Sequence, residues 1–123
     1  MEFRGQPLHL AIRDGNDFLI GVIVFADVIV GHKAEIGFWL GKPYWGQGIM
    51  AQVLPVVCQF AINQWYLVRI EASVFKGNTR SQRVLEKCGF EYEGIARKHF
   101  FKNGEFIDSQ FYALLDDFSD VPF

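Results

Sequence analysis

Two glycines at a predicted strand-to-helix junction are the feature of this sequence that points most directly to chemistry. Gly46 and Gly48 lie in residues 44–52, between a strand-like run and a long helical segment. A glycine-rich turn lets the backbone approach a ligand closely. The first N–H groups of the helix behind it have no helical partner and lie at the positive end of its dipole. The turn therefore predicts a phosphate or pyrophosphate site on the backbone N–H groups of residues 47–50, although two glycines alone also fit an ordinary capping turn.

Hydrophobic patterns on both sides of this turn predict the strands that would hold it. Alternating apolar and polar residues are typical of a half-buried strand, and continuous β-rich runs are typical of a strand buried on both faces. Asn103-Gly104 between two apolar runs is a strong hairpin signal. These patterns predict six strands, at residues 8–13, 18–26, 34–40, 68–75, 95–101 and 106–114.

Two segments have helical periodicity. Residues 49–65 carry apolar side chains on one face, and Pro55 within them predicts a bend without loss of the helix. The second helix begins at Asn78, a favourable N-cap residue, and stops near Gly89. The order β-β-β-α-β-α-β-β predicts an α/β fold, with a mixed, mostly antiparallel central sheet of about six strands and two helices. We expect residues 1–123 to form a single domain.

Composition narrows the classes of function. The chain has 123 residues, a formal net charge of -2 and no basic stripe, so nucleic-acid binding is not expected. No apolar run approaches the roughly 20 residues of a membrane-spanning helix, so no membrane role is expected. Cys58 and Cys88 lack the spacing of metal ligands. They predict no metal site and two reduced thiols in a cytoplasmic protein.

Two segments together resemble the GNAT superfamily of N-acetyltransferases. Residues 44–54 are similar to the loop that binds the acetyl-CoA pyrophosphate in that superfamily. Residues 78–94 are similar to a conserved block of the branch that contains the ribosomal-protein N-terminal (alanine) acetyltransferases, with spermidine acetyltransferases as relatives. The matching positions in that block are Asn78, Ser81, Val84, Leu85, Lys87, Gly89, Phe90, Glu93 and Gly94. The resemblance implies an acyl-CoA N-acyltransferase-like fold, acetyl-CoA as co-substrate and an amine acceptor.

The sequence departs from the superfamily pattern at several positions. Trp45 stands where Arg or Gln is usual, and Met50, in place of Gly or Ala, would either crowd the pyrophosphate or point away. Leu85 occupies the place of a Tyr that many members use as an acid. Family members usually begin with a strand and two helices that form much of the acceptor site. The first strand here resembles their second, so we expect either a fragment or a naturally shortened member.

The resemblance implies roles for residues in both segments. The cofactor would lie between the strands at 34–40 and 68–75, splayed apart at that point. Asn78 would hold the pantetheine or the acceptor in addition to capping its helix, and Ser81 would donate a proton to the leaving thiolate. Arg83, together with Arg80, would meet the adenosine 3′-phosphate. The pyrophosphate would be surrounded by Trp45, Gly46, Gln47, Gly48, Ile49 and Met50.

Glu35 and Glu71 are the candidate general bases. Glu35 lies on a strand that flanks the implied cofactor and matches an acid of many relatives, and Glu71 lies on the opposing strand. Partial burial would raise the pKa of either carboxyl, whereas the alternative is a solvated carboxylate or a structural ion pair. His9, His32 and His99 do not cluster in sequence, and we expect surface or packing roles for them.

Three hypotheses of function follow. The first is an acetyltransferase in which a primary amine (a protein N-terminus, a polyamine or a small molecule) attacks the thioester directly in a ternary complex. The second is an acyl-CoA-binding protein without turnover. The third is an enzyme completed only in a homodimer, because a sheet without its N-terminal helices would expose an apolar face of the kind that forms interfaces.

Overall fold

The structure is a computed structural model that describes residues 3–116. The sheet has six strands: β1 (Leu8–Arg13), β2 (Leu19–Ile29), β3 (Lys33–Leu40), β4 (Arg69–Phe75), β5 (Glu91–Lys102) and β6 (Glu105–Leu115). Two α-helices follow β3 and β4, namely α1 (Ile49–Trp65) and α2 (Thr79–Lys87), and a short 3₁₀ turn spans Lys42–Tyr44. The predicted order and number of elements are confirmed.

The sheet is mixed and mostly antiparallel, with the strand order β1-β2-β3-β4-β6-β5. β3 and β4 form its parallel pair, and their pairing extends only from Lys33 opposite Arg69 to Glu35 opposite Glu71. Beyond Glu35 and Glu71 the two strands no longer pair with each other, although β3 stays paired with β2 and β4 with β6. The space between them opens toward the glycine turn. The splay implied by the resemblance is therefore present.

One face of the sheet carries the hydrophobic core. The apolar alternation along β1 to β4 places side chains such as Phe25, Ile36 and Ile70 against the buried face of α1. Leu54 in α1 and Leu85 in α2 are both fully buried in the same cluster. This packing fixes the starts of both helices relative to the centre of the sheet, where β3 and β4 diverge.

Two strands are longer than predicted because β-bulges interrupt their alternation. β2 runs to Ile29 rather than to residue 26, since a bulge between Ala26 and Ile29 turns Asp27 outward at φ 50° and returns Val28 to the core. β5 begins at Glu91 rather than at residue 95, and its pairing with β6 shifts at two bulges. The alternation of inward and outward side chains is interrupted at such shifts, so the sequence pattern does not show where these two strands begin or end.

α1 runs through Pro55 without a break, as predicted. No helix among residues 3–116 has the length and hydropathy needed to cross a membrane.

Candidate active site

A cleft of about 760 Å³ opens where β3 and β4 diverge. One wall is the end of β3, from Phe38 to Leu40, followed by the glycine turn and the first residues of α1. The opposite wall is residues 77–87, which include most of α2. The splayed strands thus bring together the two segments that the sequence analysis singled out.

The glycine turn presents unpartnered backbone N–H groups to this cleft. Gly46 and Gly48 have φ values of 78° and 73°, a left-handed conformation that L side chains adopt only with strain. The first hydrogen bond of α1 runs from the Gln52 N–H to the Gly48 carbonyl at 3.1 Å. Within residues 3–116, the N–H groups of residues 47–50 donate to no protein acceptor. The site has the donors and the dipole that an anion requires.

Met50 packs into the core rather than across the turn. Its side chain is only 4% exposed and belongs to the same buried cluster as Leu54. Gln47, by contrast, is exposed, and its side-chain amide donates to the Pro43 carbonyl at 3.4 Å. Met50, which departs from the superfamily pattern, therefore does not cover the N–H groups that are predicted to bind an anion.

Trp45 is held at the mouth of the cleft by two contacts. Its indole N–H donates to the Leu40 carbonyl at 2.7 Å. The guanidinium carbon of Arg80 lies 3.7 Å from the centre of its ring. The contact joins the turn before α1 to the first turn of α2.

The N-terminal half of α2 contributes the other predicted cleft residues. The Asn78 side-chain oxygen accepts a hydrogen bond from the Ser81 backbone N–H at 3.3 Å, so Asn78 caps the helix. Asn78, Ser81 and Arg83 all line the cleft. The expected capping role of Asn78 is confirmed, and the same residue lines the cleft.

Glu35 and Glu71 lie elsewhere. They occupy paired positions of β3 and β4 and line a smaller cavity of about 270 Å³ with Asp27 and Lys33. The cleft lining contains no carboxylate among the described residues. The predicted bases are thus the last paired residues of the two strands, and they lie outside the lining of the predicted cofactor site.

The two carboxyls have opposite electrostatic environments. Partial burial raises the pKa of Glu35, the neighbouring carboxyls of Asp27 and Glu71 raise it further, and His99 opposes them. Burial also acts to raise the pKa of Glu71, but hydrogen bonds from Arg69 and Lys33 outweigh it and lower the pKa. Arg69 Nε lies 2.9 Å and Lys33 Nζ 3.1 Å from a Glu71 oxygen. The raised pKa expected of a base is found at Glu35 and not at Glu71.

Asp27 and His99 are site residues that the sequence analysis did not select. The sequence does contain one signal for Asp27, because this charged residue interrupts an otherwise apolar run. His99 Nδ1 lies 2.9 Å from the Ser109 hydroxyl, which is fully buried, and the His99 ring packs beside Phe100 and Phe111. The packing role expected for His99 is accompanied by an electrostatic effect on Glu35.

Metal ligation finds no support in the described part of the chain. No group of three or more His, Cys, Asp or Glu side chains within residues 3–116 is arranged to hold an ion. Cys58 is buried, and burial raises the pKa of its thiol to about 12, with a smaller effect from Cys88. Such a thiol is protonated and inert at neutral pH.

Comparison with known proteins identifies related sequences. A family profile described as "Acetyltransferase (GNAT) domain" matches residues 2–91. A probable N-acetyltransferase, YjcK, of Bacillus subtilis (strain 168) is 43% identical over 116 residues, which are 92% of this chain and 64% of that protein. The [ribosomal protein uS5]-alanine N-acetyltransferase of Escherichia coli (strain K12) is 31% identical over 114 residues, which are 90% of this chain and 59% of that protein.

A solved structure shares the fold. The ribosomal-protein-S5-alanine acetyltransferase of Vibrio fischeri superimposes with a TM-score of 0.86 at 27% identity, over 91% of this chain and 63% of that chain. The chain thus spans less than two thirds of the length of each of these three relatives.

Proposed function

The chain belongs to the acetyltransferase (GNAT) family, and from this we propose that it binds acetyl-CoA in the cleft and transfers the acetyl group to a primary amine. The observation that carries the proposal is the row of unpartnered N–H groups at the start of α1, open to a cleft between diverging parallel strands. These groups fit the diphosphate of the co-substrate. The basic side chains of Arg83 and Lys87 border the same cleft and fit its further phosphate.

The chemistry requires few protein groups because acetyl-CoA supplies an acetyl group already activated as a thioester. Glu35 accepts the proton that the amine loses, directly or through water, and its raised pKa suits that task. The nitrogen–carbon bond forms as the carbon–sulfur bond breaks, and Ser81 donates a proton to the departing thiolate. Most of the rate comes from holding the two reactants in line.

The acceptor site is proposed at the smaller cavity. Its lining has three carboxyls, of Asp27, Glu35 and Glu71, and two cationic side chains, of Arg4 and Lys33. This excess of acidic over basic groups favours a cationic amine over an anionic acceptor. The Escherichia coli relative acts on an alanine of ribosomal protein uS5, as its name states. A protein N-terminus, a polyamine and a small-molecule amine each carry the required group.

A second candidate is an acyl-CoA-binding protein without turnover. It is favoured by the separation of the carboxyls from the cleft, whose described lining contains no acid.

If the chain requires a second copy for turnover, the exposed apolar side chains provide the contact. Trp39, Phe18, Phe101 and Phe106 are all more than half exposed. We place the protein in the cytoplasm, in keeping with its unpaired thiols.

Two measurements separate these candidates. Calorimetry with acetyl-CoA tests binding, and a thiol-release assay with a panel of amines and N-terminal peptides tests turnover. Absence of binding contradicts both candidates, and binding without thiol release at any amine leaves the non-catalytic one. Light scattering at micromolar concentration, with and without acetyl-CoA, tests the homodimer.

A further inference from the structure

Arg80 occupies a position that helix electrostatics disfavours. It lies in the first turn of α2, where the helix dipole is positive and a cation is unfavourable. The first turn contains no acidic residue that would compensate for it. A cation at this position suggests a role other than stabilising the helix.

The guanidinium of Arg80 has a ring partner but no ionic partner within residues 3–116. It stacks on Trp45 at 3.7 Å, and no described carboxylate or carbonyl accepts a hydrogen bond from it. Arginine has five N–H donors, so these donors remain available to a ligand. The Trp45 indole ring, on which this guanidinium stacks, is itself fixed because its N–H donates to the Leu40 carbonyl.

The N–H donors of Arg80 lie in the same cleft as a second set of donors, the backbone N–H groups of the glycine turn. Trp45 directly precedes the glycine turn, and both Trp45 and Arg80 line the cleft together with Gly46 and Gly48. The backbone N–H groups of residues 47–50 likewise have no acceptor in the described part of the chain. A diphosphate has enough oxygen atoms to bind both sets, and a guanidinium binds phosphate oxygens in a bidentate manner.

We propose that Trp45 and Arg80 form a clasp, in which the indole ring holds the Arg80 guanidinium against the diphosphate of CoA from the side opposite the glycine turn. The proposal rests on the proposed function and deepens it. It assigns Arg80 to the diphosphate rather than to the adenosine 3′-phosphate, and it makes Trp45 a positioning residue that acts through Arg80.

The test is the affinity of purified variants for CoA and for dephospho-CoA, which lacks the 3′-phosphate, measured by calorimetry. Arg80→Gln weakens CoA binding about ten- to a hundredfold, the range of a charge-assisted hydrogen bond. The loss is the same with dephospho-CoA, and Arg80→Lys recovers part of it. The affinity of Arg80→Gln is also less sensitive to salt than that of the wild type, because an ion pair has been removed.

Trp45 is tested with the same ligands. Trp45→Leu weakens CoA binding by about three- to thirtyfold, the range of a cation–π contact, and Trp45→Phe by less. The double variant Trp45→Leu/Arg80→Gln binds about as weakly as Arg80→Gln alone, since the two residues act as one unit. Arg97→Gln, which removes an equal charge outside the cleft, leaves the affinity unchanged. Thermal unfolding of each variant confirms that it is folded, and Trp45→Phe retains an aromatic ring if Trp45→Leu does not fold.

The outcomes are distinct. If Arg80→Gln binds CoA as tightly as the wild type, the clasp is wrong and the proposed function is untouched. If the loss is confined to CoA and absent with dephospho-CoA, Arg80 binds the 3′-phosphate and the diphosphate assignment fails. If the salt dependence is unchanged, Arg80 acts only on structure, which also overturns the clasp. A wild-type protein that binds no CoA overturns the proposed function, and the clasp with it.

Discussion

The thiol of Cys88, at the end of α2, points at the backbone carbonyl of Ala51 in α1, with its sulfur 3.7 Å from the oxygen. Ala51 is the residue four positions before Pro55, and proline has no N–H to donate to it. The Ala51 carbonyl, which Pro55 leaves without a helical donor, thus accepts a hydrogen bond from the Cys88 thiol at the end of the neighbouring helix. This contact ties together the two helices whose first turns border the cleft.

The Cys88–Ala51 contact predicts that the effects of Cys88→Ala and Pro55→Ala on stability are not additive. Cys88→Ala lowers the free energy of unfolding by about 1 kcal/mol, since a weak hydrogen bond and a partly buried side chain are lost. Pro55→Ala raises it by about 2 kcal/mol, the helix-interior cost of proline less its effect on the unfolded chain. In the Pro55→Ala background, Cys88→Ala costs less, because residue 55 now donates to Ala51. Urea unfolding of the four proteins tests this, and strict additivity would contradict it.

The glycine turn predicts a loss of cofactor affinity that can be separated from backbone strain. Gly46 at φ 78° and Gly31 at φ 79° share a left-handed φ, and no atom of residues 3–116 lies within 4 Å of a Cβ added at either position. Alanine at either position costs about 1–2 kcal/mol of stability. Only Gly46→Ala weakens acetyl-CoA binding, by about tenfold, because its methyl group enters the anion site. Equal affinity of the two variants for acetyl-CoA would place the diphosphate elsewhere.

Two substitutions of Asn78 can separate its role as a helix cap from its proposed role in binding acetyl-CoA. Asn78→Ala removes the acceptor for the Ser81 N–H and lowers stability by about 1 kcal/mol. Asn78→Asp retains the acceptor and the stability, but it places a negative charge in a cleft proposed to bind phosphates. We expect about tenfold weaker acetyl-CoA binding by calorimetry for Asn78→Asp. Unchanged affinity in this variant would leave Asn78 with its capping role alone.

Glu35 predicts the acid limb of the pH–rate profile. A base must be ionised, so kcat/KM falls as the pH drops below the raised pKa of Glu35. Glu35→Gln lowers kcat by about 10²–10⁴-fold and leaves the affinity for acetyl-CoA unchanged. Asp27→Asn moves the acid limb to lower pH, because it removes the charge that opposes ionisation. A profile that does not respond to Asp27→Asn would argue against Glu35 as the base.

Glu35 also predicts the sign of a stability difference. Its folded pKa is raised, so its favourable contribution is present below the unfolded value of 4.5 and is lost as the pH rises through the folded pKa. Glu35→Gln is therefore at least as stable as the wild type at neutral pH. Its advantage over the wild type shrinks in acid, as urea titrations at several pH values will test.

Glu71 predicts the opposite dependence. Its folded pKa is lowered by Arg69 and Lys33, so its contribution is present above 4.5 and is lost as the pH falls through the folded pKa. Glu71→Gln lowers the free energy of unfolding at pH 7 by about 1 kcal/mol, since the ion pairs are partly exposed. The difference from the wild type disappears in strong acid. A difference that is constant with pH would show that packing, not charge, is responsible.

Much of the fold and half of the candidate site were predictable from local patterns. Two-residue alternation identified β1 and β3, and a continuous β-rich run identified β2. The Asn-Gly pair identified the hairpin of β5 and β6, and the two glycines identified the turn before α1. These signals are local, because a strand period or a left-handed residue depends on neighbouring positions alone. The bulged ends of β2 and β5 were missed, since a bulge cancels the period on which the prediction depends.

The remaining relationships depend on residues far apart in the chain. The sequence leaves the orientation of the Met50 side chain open, and packing in the core decides that it points away from the proposed anion site. Glu35 and Glu71 are equivalent candidates as residue types. Their pKa values diverge because pairing and a bulge bring Asp27 to one, and Arg69 and Lys33 to the other.

The sequence alone determined which elements form, in what order, and where the glycine turn before α1 lies. Tertiary structure decided that β3 and β4 stop pairing after Glu35 and Glu71, so that a cleft opens on one side and the carboxyls remain on the other. The physical reason is that backbone conformation is encoded by neighbouring residues, whereas pKa values, cavities and ring contacts arise from groups that only packing brings together.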